Sequence, residues 1–304
     1  MNILNKIFFK INNIKSFQDV NSIFETFILS RIFNKRLEWN IAYIRSSWKK
    51  SFDKNKINTI SNPKNRWFAD PFVVKRKNFH YIFFEDYSLK NKRGLISCIE
   101  INKKNKLKYS KGIVKEKFHL SFPFIFYYNK NYFMIPESSK NNSVRLYKCT
   151  KFPDKWKFVK KIIKNVDLVD PIIFKWKNNW ILVASKAKNE FLYNKLCIYI
   201  AKNPLSTNWK PLNSNPVIES NILGRNAGLI KESNNRIFRI SQAYLPGNYG
   251  AFISINKILS ILKNKYQERN IKKISPVHEK NIKGIHTLNY AKNFTVFDYS
   301  KWIK

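Results

Sequence analysis

The sequence contains little glycine, cysteine or acid, and these shortages exclude several classes of protein. Its 304 residues include 7 glycines, 3 cysteines and 2 methionines. Gly-rich phosphate loops, paired zinc ligands and nucleic-acid recognition motifs are absent, so the sequence predicts no cofactor, no metal site and no specific nucleic-acid partner. No run approaches the roughly 20 apolar residues that cross a bilayer. Aromatic residues, in contrast, make up 16% of the chain and can form a large core.

Acidic residues are outnumbered by basic ones, 19 to 58, which gives a formal net charge of +39. One interpretation is a polyanionic partner: nucleic acid, an acidic glycan or an anionic membrane. The other is a compositional bias, because lysine, asparagine and isoleucine are abundant together throughout the chain. A single dense basic face would favour the first interpretation, and evenly spread lysines would favour the second.

A recurring unit dominates the rest of the sequence. Residues 66–86 contain two runs of aromatic and β-branched residues around a basic turn, which predicts two antiparallel strands. Similar units follow, aligned on the anchors Pro71, Pro123, Pro171, Gly228 and His286. Fourteen residues after each anchor, at the end of the second strand, a polar residue recurs: Glu85, Glu137, Ser185, Gln242 and Ser300.

A period near 50 residues with several short strands per unit is typical of propellers and arrays. The five units therefore predict an all-β, five-bladed β-propeller over residues 38–304, with a β-sandwich as the alternative. Residues 39–44 (WNIAYI) form a predicted strand that completes the last blade, which removes exposed edges. Residues 255–266 (INKILSILKNKY) have helical spacing and are predicted as a helix in blade four.

Residues 1–37 are predicted to be a basic helical extension. Apolar residues recur there at helical spacing with lysines between them: Ile3, Leu4, Ile7, Phe8, Ile11 and Ile14. One interpretation is an anchor on an anionic membrane surface, and the other is a helix packed against the propeller. No secretory signal is recognised, so we expect a cytoplasmic protein, which the first interpretation would place at the inner face of the membrane.

The three cysteines occupy equivalent positions in three repeats. Cys98, Cys149 and Cys197 lie 26 or 27 residues after their anchors, on the predicted third strands of three blades. Equivalent positions of different blades are too far apart to bridge. The sequence thus predicts three buried free thiols, which suit a reducing cytoplasm.

The first strand of each propeller blade lines the central axis, so residues at its start converge at one end of the channel. This predicts a polar ring: Asp70, Phe122, Asp170, Arg225 with Asn226, and His286. Two carboxylates, an arginine and a histidine in an aromatic pocket can form a binding or catalytic site. The alternative for each aspartate is that it caps a turn before proline.

The blade starts ADP, SFP, VDP and NAG resemble those of glycoside hydrolase family 43 and its relatives. The resemblance implies that Asp70 corresponds to the catalytic base and Asp170 to the carboxylate that tunes the acid and holds the substrate. The general acid of that family is a glutamate at the start of blade four, where this chain has Asn226. Because an asparagine cannot donate that proton, ordinary glycoside hydrolysis is not expected.

A second resemblance covers nearly the whole propeller. The segments WFADPFV, YIFFED, HLSFPFIF, YFMIPES, RNAG, RIFRISQ and GIHTLN resemble the N-terminal propeller domain of glucosamine inositolphosphorylceramide transferases. The plant proteins carry a separate glycosyltransferase domain after it, for which this chain has no room. The resemblance implies a propeller that handles a glycan or a sugar nucleotide in surface polysaccharide or glycolipid biosynthesis.

Two functions from different classes follow. The first is sugar transfer at the axis, with candidate catalytic residues Asp70, Asp170, Glu137 and His286. The candidate substrate-binding residues are Trp67, Glu85, His119, Arg225, Asn226, Arg239, Gln242 and Tyr249. The second is a non-catalytic glycan-binding or scaffold module derived from a glycosidase fold. For Glu85 and Arg239, an internal arginine–glutamate network that fixes the blades is the structural alternative.

Overall fold

The computed structural model describes residues 26, 28–32, 35–189, 192–232, 234–263, 265–276 and 282–303. These residues form five antiparallel sheets that are the blades of a β-propeller. The predicted helix within residues 3–15 lies outside the described residues. Near it, a π-helical turn spans Ile28–Ile32, and the Thr26 hydroxyl donates a hydrogen bond to the Gly247 carbonyl of blade four. No described helix is long and apolar enough to cross a membrane.

The chain enters the fold through β1 (Arg36–Ile44) and β2 (Asn58–Ile60), and then completes four blades in sequence order. Blade one consists of β3 (Arg66–Arg76), β4 (Phe79–Ser88), β5 (Arg93–Ile101) and β6 (Leu107–Val114). Blade two consists of β7 (Ser121–Tyr128), β8 (Asn131–Glu137), β9 (Ser143–Lys151) and β10 (Lys155–Lys164).

Blades three and four repeat this up-and-down order. Blade three consists of β11 (Leu168–Trp176), β12 (Asn179–Asn189), β13 (Leu192–Ala201), and the short β14 (Lys210–Pro211) and β15 (Ile218–Glu219), which both pair with β13. Blade four consists of β16 (Arg225–Lys231), β17 (Ile237–Leu245), β18 (Asn248–Leu262) and β19 (Lys265–Ile274).

Blade five joins the two ends of the described chain. Its inner strands are β20 (Ile282–Gly284) and β21 (Leu288–Tyr290), followed by β22 (Thr295–Ile303). The strand β1 then pairs with β22 along its whole length, from Arg36 opposite Ile303 to Ile44 opposite Thr295. The predicted closure by residues 39–44 is therefore confirmed. The first strands contact one another in the closed cycle β3, β7, β11, β16, β21 and β3 again.

The predicted helix at residues 255–266 is wrong, because this segment belongs to β18 and the start of β19. The apolar spacing was misleading for a physical reason. Ile255, Ile258 and Ile261 are all buried although they are three residues apart in a strand. Ile255 belongs to one hydrophobic cluster and Ile258 and Ile261 to another, because blade four is packed on both faces. A bulge at Leu259 adds one residue between Ile258 and Ile261. Burial on both faces together with this bulge imitates a helical period.

A β-bulge near the start of the first strand turns side chains towards the axis in blades one to four. At the bulges Asp70, Phe122 and Asp170 have left-handed backbone, with φ of 52°, 45° and 52°. Non-glycine residues rarely occupy this region, and it costs about 1–3 kcal/mol at each position. Equivalent backbone therefore places the two aspartates and Phe122 at the same level of the channel.

The hydrogen-bond register also corrects the alignment of blade four. Arg225 pairs with Gln242 as Ala69 pairs with Glu85, so the residue equivalent to the prolines is Ala227 and not Gly228. This shift makes Asn226 the counterpart of Asp70, Phe122 and Asp170.

The cysteines lie where the repeats predicted, on β5, β9 and β13, and all three are free thiols. Cys98 and Cys197 are buried, whereas Cys149 is only partly so.

Candidate functional site

Asp298 is the centre of the hydrogen-bond network at the axis. Its carboxylate is fully buried and lies between blades one and five. Oδ1 accepts hydrogen bonds from the backbone N–H groups of His286 (3.1 Å) and Thr287 (2.8 Å), and Oδ2 accepts one from the N–H of Asp70 (2.9 Å). The network ties the left-handed backbone at Asp70 to the first strand of blade five.

His286 lies between two carboxylates. Its Nδ1 is 2.7 Å from Asp298 Oδ2, and its Nε2 is 3.4 Å from Asp70 Oδ1. Burial of the imidazole works to lower its pKa, but the charges of Asp298 and Asp70 outweigh this effect, and the pKa of His286 is raised. The ring stacks on Trp39, with centroids 3.9 Å apart, and contacts Tyr249 edge-on. The imidazole is thus held between acids and aromatic faces, which favour its charged form.

Asp70 completes this part of the site. Its Oδ1 accepts a hydrogen bond from the Thr287 hydroxyl (2.8 Å), and its Oδ2 accepts one from the N–H of Phe122 (3.2 Å). Burial raises the pKa of Asp70 to about 6, against the opposing effect of His286. A carboxylate with this pKa changes its protonation state close to neutral pH, as a general base requires.

Asp70, His286 and Asp298 could each offer one ligand atom to a metal ion, since these atoms lie within 4.8 Å of one another. All four carboxylate oxygens, however, already receive donors from within the cluster. A cation would have to displace the protonated histidine and several backbone groups. The donor set therefore fits a hydrogen-bond network better than a metal centre.

A second group of charges comes from blades two, three and four. Arg225 Nε donates a hydrogen bond to Asp170 Oδ2 (2.7 Å), and its guanidinium lies 5.2 Å from the ring centre of Tyr249. The side chain of Arg225 is 23% exposed, while Asp170 is buried. Burial raises the pKa of Asp170 to about 6 although Arg225 lowers it. The arrangement presents a fixed cation at the mouth of the channel.

Glu137, at the end of β8, lies beside this pair. Its two carboxyl oxygens accept hydrogen bonds from the hydroxyls of Ser139 (2.9 Å) and Ser121 (3.2 Å). Burial raises the pKa of Glu137, and the charge of Arg225 opposes the rise. A carboxyl group in this environment holds its proton at higher pH than an exposed one, so it can act as an acid.

Glu85 and His119 form a third group on blade one and the connection to blade two. The N–H of Gly94 donates to His119 Nδ1 (2.9 Å), which leaves the imidazole proton on Nε2, 3.4 Å from Glu85 Oε1. Burial and the neighbouring carboxylates raise the pKa of Glu85 well above its usual value. A Cβ at Gly94 would lie 2.7 Å from Glu85 Oε1 and 2.5 Å from the Leu120 carbonyl oxygen, so only glycine allows this approach.

Aromatic residues border the groups on blade one. Trp67 stacks on Tyr87 with centroids 4.4 Å apart, and Tyr87 contacts His119 edge-on. Both Trp67 and Tyr87 are partly exposed. On the blade-four side, Tyr249 is 37% exposed beside Trp39. Partly exposed aromatic faces around buried polar groups are suited to stacking on a sugar ring or a base.

Asn226, Arg239 and Gln242 lie behind the axial groups, in the interior of blade four. Asn226 donates to the carbonyls of Asp170 (2.9 Å) and Val183 (3.1 Å), and Gln242 donates to the Asn226 carbonyl (3.0 Å). Arg239 has no exposed side-chain surface and is held by Glu268 through two hydrogen bonds. Arg239 thus belongs to an internal arginine–glutamate network, as the structural alternative for this residue predicted. Glu85 does not, because its partner is a histidine.

The raised pKa values predict how stability depends on pH. In the folded protein Asp70 and Asp170 titrate at about 6 instead of 3.8, and the pKa values of Glu85, Glu137 and His286 are raised too. Between pH 4 and 6 these groups bind more protons in the folded chain than in the unfolded chain, so their contribution to stability falls as the pH rises. Burial has the opposite effect on two other histidines: it lowers the pKa of His80 to about 4 and also lowers the pKa of His119, and their contribution to stability rises over the same range.

We expect the Asp70 carboxyl to contribute about 1 kcal/mol more to the free energy of unfolding near pH 5 than near pH 7, because its pKa is about 6 in the folded protein. Urea unfolding curves of the wild type and of Asp70→Asn at the two pH values would measure this contribution. The stability advantage of the wild type over the variant should grow on acidification. An advantage that is the same at both pH values, or smaller at pH 5, would contradict the prediction.

The sequence did not indicate two residues of the site, Asp298 and Trp39. A signal for Asp298 was present. At the equivalent place on the second strand the other blades have the apolar residues Phe83, Ile135, Val183 and Ile240, and only blade five has an acid. A carboxylate on a position that is otherwise apolar requires buried donors, and this could have marked it. Trp39 lies on the predicted closing strand, but nothing in its local pattern directed it towards the axis.

Solved structures with a similar fold are glycoside hydrolases. An α-L-arabinofuranosidase from Podospora anserina superposes with a TM-score of 0.57 at 10% identity, over 78% of this chain and 91% of that one. A family 117 glycoside hydrolase from Zobellia galactanivorans gives a TM-score of 0.55 at 14% identity, over 87% and 91% of the two chains. At these identities the likeness concerns the fold, and it confirms the predicted glycosidase-type propeller.

Sequence relatives are glucosamine inositolphosphorylceramide transferases 1 of plants. The Arabidopsis thaliana protein is 33% identical over 218 residues, and the protein of Oryza sativa subsp. japonica is 29% identical over 211 residues. These matches cover 69% and 68% of this chain but 28% of each relative, so the chain corresponds to little more than a quarter of their length. The family model of glucosamine inositolphosphorylceramide transferase 1, N-terminal, matches residues 52–301, and the chain therefore belongs to this family.

Proposed function

We propose that the protein transfers a sugar, or handles a sugar nucleotide, at the axial site, in the biosynthesis of a surface polysaccharide or glycolipid. One observation carries the proposal. Asp70, Glu137 and Asp170, from three successive blades, converge at one end of the channel with Arg225 and His286. Two relatives of the chain are named as transferases that act on an inositolphosphorylceramide, which supports a sugar-handling role.

Each group has a role in such a transfer. Ionised Asp70 accepts the proton of the acceptor hydroxyl. At the same time the oxygen of that hydroxyl forms a bond to the anomeric carbon of the donor. The bond from that carbon to the phosphate oxygen breaks, and the phosphate leaves with the electron pair. Arg225, held by Asp170, stabilises the charge of the departing phosphate. Because a phosphate leaves without full protonation, the asparagine at position 226 does not prevent this reaction.

Glu137 and His286 are the candidate proton donors for a less acidic leaving group. The pKa of each is raised above its usual value, so each holds its proton at higher pH than the same group would in water. His286 also fixes the position of Asp70, since it contacts both Asp70 and Asp298. The three free cysteines accord with a reducing compartment, and the proposal includes a cytoplasmic location.

A non-catalytic glycan-binding module is the second candidate, and a specific observation favours it. Asn226 has the bulge position that holds an aspartate in blades one and three, and its amide is buried and fully engaged. Blade four therefore contributes no acid to the axis among its described residues. A glycosidase fold that has lost this acid could retain binding without turnover.

The experiment that tests the proposal is a thermal-shift panel of nucleotide sugars, free oligosaccharides and heparin at low and high salt. We expect one class of sugar or sugar nucleotide to stabilise the wild type at both salt concentrations. Tyr249→Phe should keep this shift and Arg225→Gln should lose it if an anionic donor is bound. A shift with heparin alone that salt abolishes would contradict the proposal, because it would mean that net charge and not the axial site governs binding.

A further inference from the structure

The described strand connections are richer in basic residues at the end of the propeller opposite the axial site than at the axial end. In an up-and-down blade, the connection between strands one and two lies at the same end as the connection between strands three and four. In this propeller that end is opposite the one where the first strands start. We call it the turn face. Its described connections are residues 45–57, 77–78, 102–106, 129–130, 152–154, 177–178, 202–209, 232, 234–236, 263 and 291–294.

These connections contain 15 lysines and arginines and three acidic residues. Two of the three acids are already paired within the face. Glu232 binds Lys49 (2.5 Å) and Arg236 (2.8 Å), and Asp53 binds Lys56 (3.1 Å). At the other end, the described connections contain six basic and two acidic residues, and the five buried carboxyl groups of the axial network lie there as well. The described connections at the two ends of the propeller therefore differ in charge.

Cations from neighbouring blades approach one another on the turn face. Arg45 and Lys292 come from blade five, and Lys103 comes from blade one. Burial and the charges of Lys103, Arg45 and Lys292 lower the pKa of Lys75, which lies among them. Repulsion of this kind is relieved when an external polyanion covers the cations.

Apolar side chains project from the same face. The three most exposed large hydrophobic residues among those described are Tyr127 (59%), Leu262 (53%) and Leu107 (48%). Each lies at a strand end directly beside a turn-face connection, on blades two, four and one. Exposed apolar tips surrounded by lysines are the arrangement with which proteins enter the interfacial layer of a bilayer.

We propose that the turn face binds the surface of an anionic membrane. The cations lie on all five blades, so a plane can contact them together, whereas a nucleic acid would follow one groove or stripe. The projecting apolar residues fit a lipid interface and have no use against a phosphate backbone. With this face on the membrane, the axial site points away from the bilayer and is open to soluble donors.

The test is flotation of the full chain with phosphatidylcholine vesicles, and with vesicles of equal parts phosphatidylcholine and phosphatidylserine. Four reversals to glutamate on the turn face are combined: Lys54, Lys104, Lys202 and Lys263. A matched variant reverses four exposed lysines at the opposite end: Lys64, Lys90, Lys117 and Lys140. The two variants have the same net charge, and both retain residues 1–37.

We expect binding to the anionic vesicles only, reduced about ten-fold or more by the turn-face reversals and much less by the matched variant. Changing Leu107, Tyr127 and Leu262 to serine should also weaken binding, while changing the exposed Val159, Ile222 and Leu259 to serine should not. Equal losses in the two lysine variants would overturn the proposal. An absence of binding to the anionic vesicles would overturn it too. The same holds if RNA displaces the protein from the vesicles while the three serine changes on the turn face leave vesicle binding unchanged.

Discussion

Asp298→Ala is expected to lower the free energy of unfolding by about 3–5 kcal/mol. The side chain is fully buried and accepts hydrogen bonds from three backbone N–H groups, those of Asp70, His286 and Thr287. Alanine would leave all three donors without a partner in a site that holds no exposed surface for water. It would also remove one of the two carboxylates that balance the charge of His286. Domains of this size are typically stable by only about 5–15 kcal/mol, so the loss is a large part of the total.

Urea unfolding followed by tryptophan fluorescence measures this loss. Asp154→Ala, which removes an exposed aspartate from the turn face, is the control and should change stability by less than about 0.5 kcal/mol. Asp298→Asn should fall between the two, because its amide oxygen can still accept the bonds that reach Oδ1. A cost below about 1 kcal/mol for Asp298→Ala would show that the network does not join blades one and five as described.

The architecture was predictable because it depends on features that repeat. Two apolar runs around a turn recur at intervals near 50 residues, and each interval contributes the first strands of one antiparallel blade. The closing strand was predictable for a related reason. A propeller without it would expose the edge of β22, and residues 39–44 are mostly apolar, as a strand buried at this edge requires.

The register of individual strands was less predictable, because a bulge adds a residue to a strand without changing which types of residue the strand contains. In β18 a bulge at Leu259 spaces Ile258 and Ile261 three apart, and because Ile255 is buried in a different cluster the whole pattern imitates a helix. In blade four the anchor is Ala227, one residue before the glycine that the sequence pattern suggested. A sequence alignment has no means of placing an extra residue when both neighbours are small.

The convergence of the site followed from topology, but its central residue did not. Asp70, Asp170 and His286 begin first strands, and first strands meet at the axis. Asp298 lies on a second strand, where four blades have apolar residues, and its role depends on donors supplied by blades one and five together. Such a role is a property of the assembled ring. The roles of Arg239 and Asn226 were not predictable for a similar reason. A polar side chain that is hydrogen-bonded inside a blade and one that faces a ligand occur in the same sequence pattern.

Asp70→Asn is expected to reduce the rate of sugar transfer by about 100-fold or more while the protein stays folded. Asparagine has nearly the same shape as aspartate and tolerates the left-handed backbone at this position, where φ is 52°. Its amide oxygen can still accept a hydrogen bond from Thr287 or Phe122, but the side chain cannot take a proton from an acceptor hydroxyl. Ligand binding should therefore survive better than turnover.

Single-turnover rates measured with the donor found in the thermal-shift panel would show the effect, with Asp154→Asn, at the opposite end of the propeller, as a control. Because the pKa of Asp70 is about 6 and the base acts in its ionised form, the wild-type rate should rise with pH through about 6 and then level off. In Asp70→Asn this rise should disappear. If the variant keeps the wild-type rate and pH profile, Asp70 is not the base. If the wild type binds the sugar and shows no turnover at all, the protein is the binding module, and Asp70 only holds the left-handed backbone of blade one against Asp298.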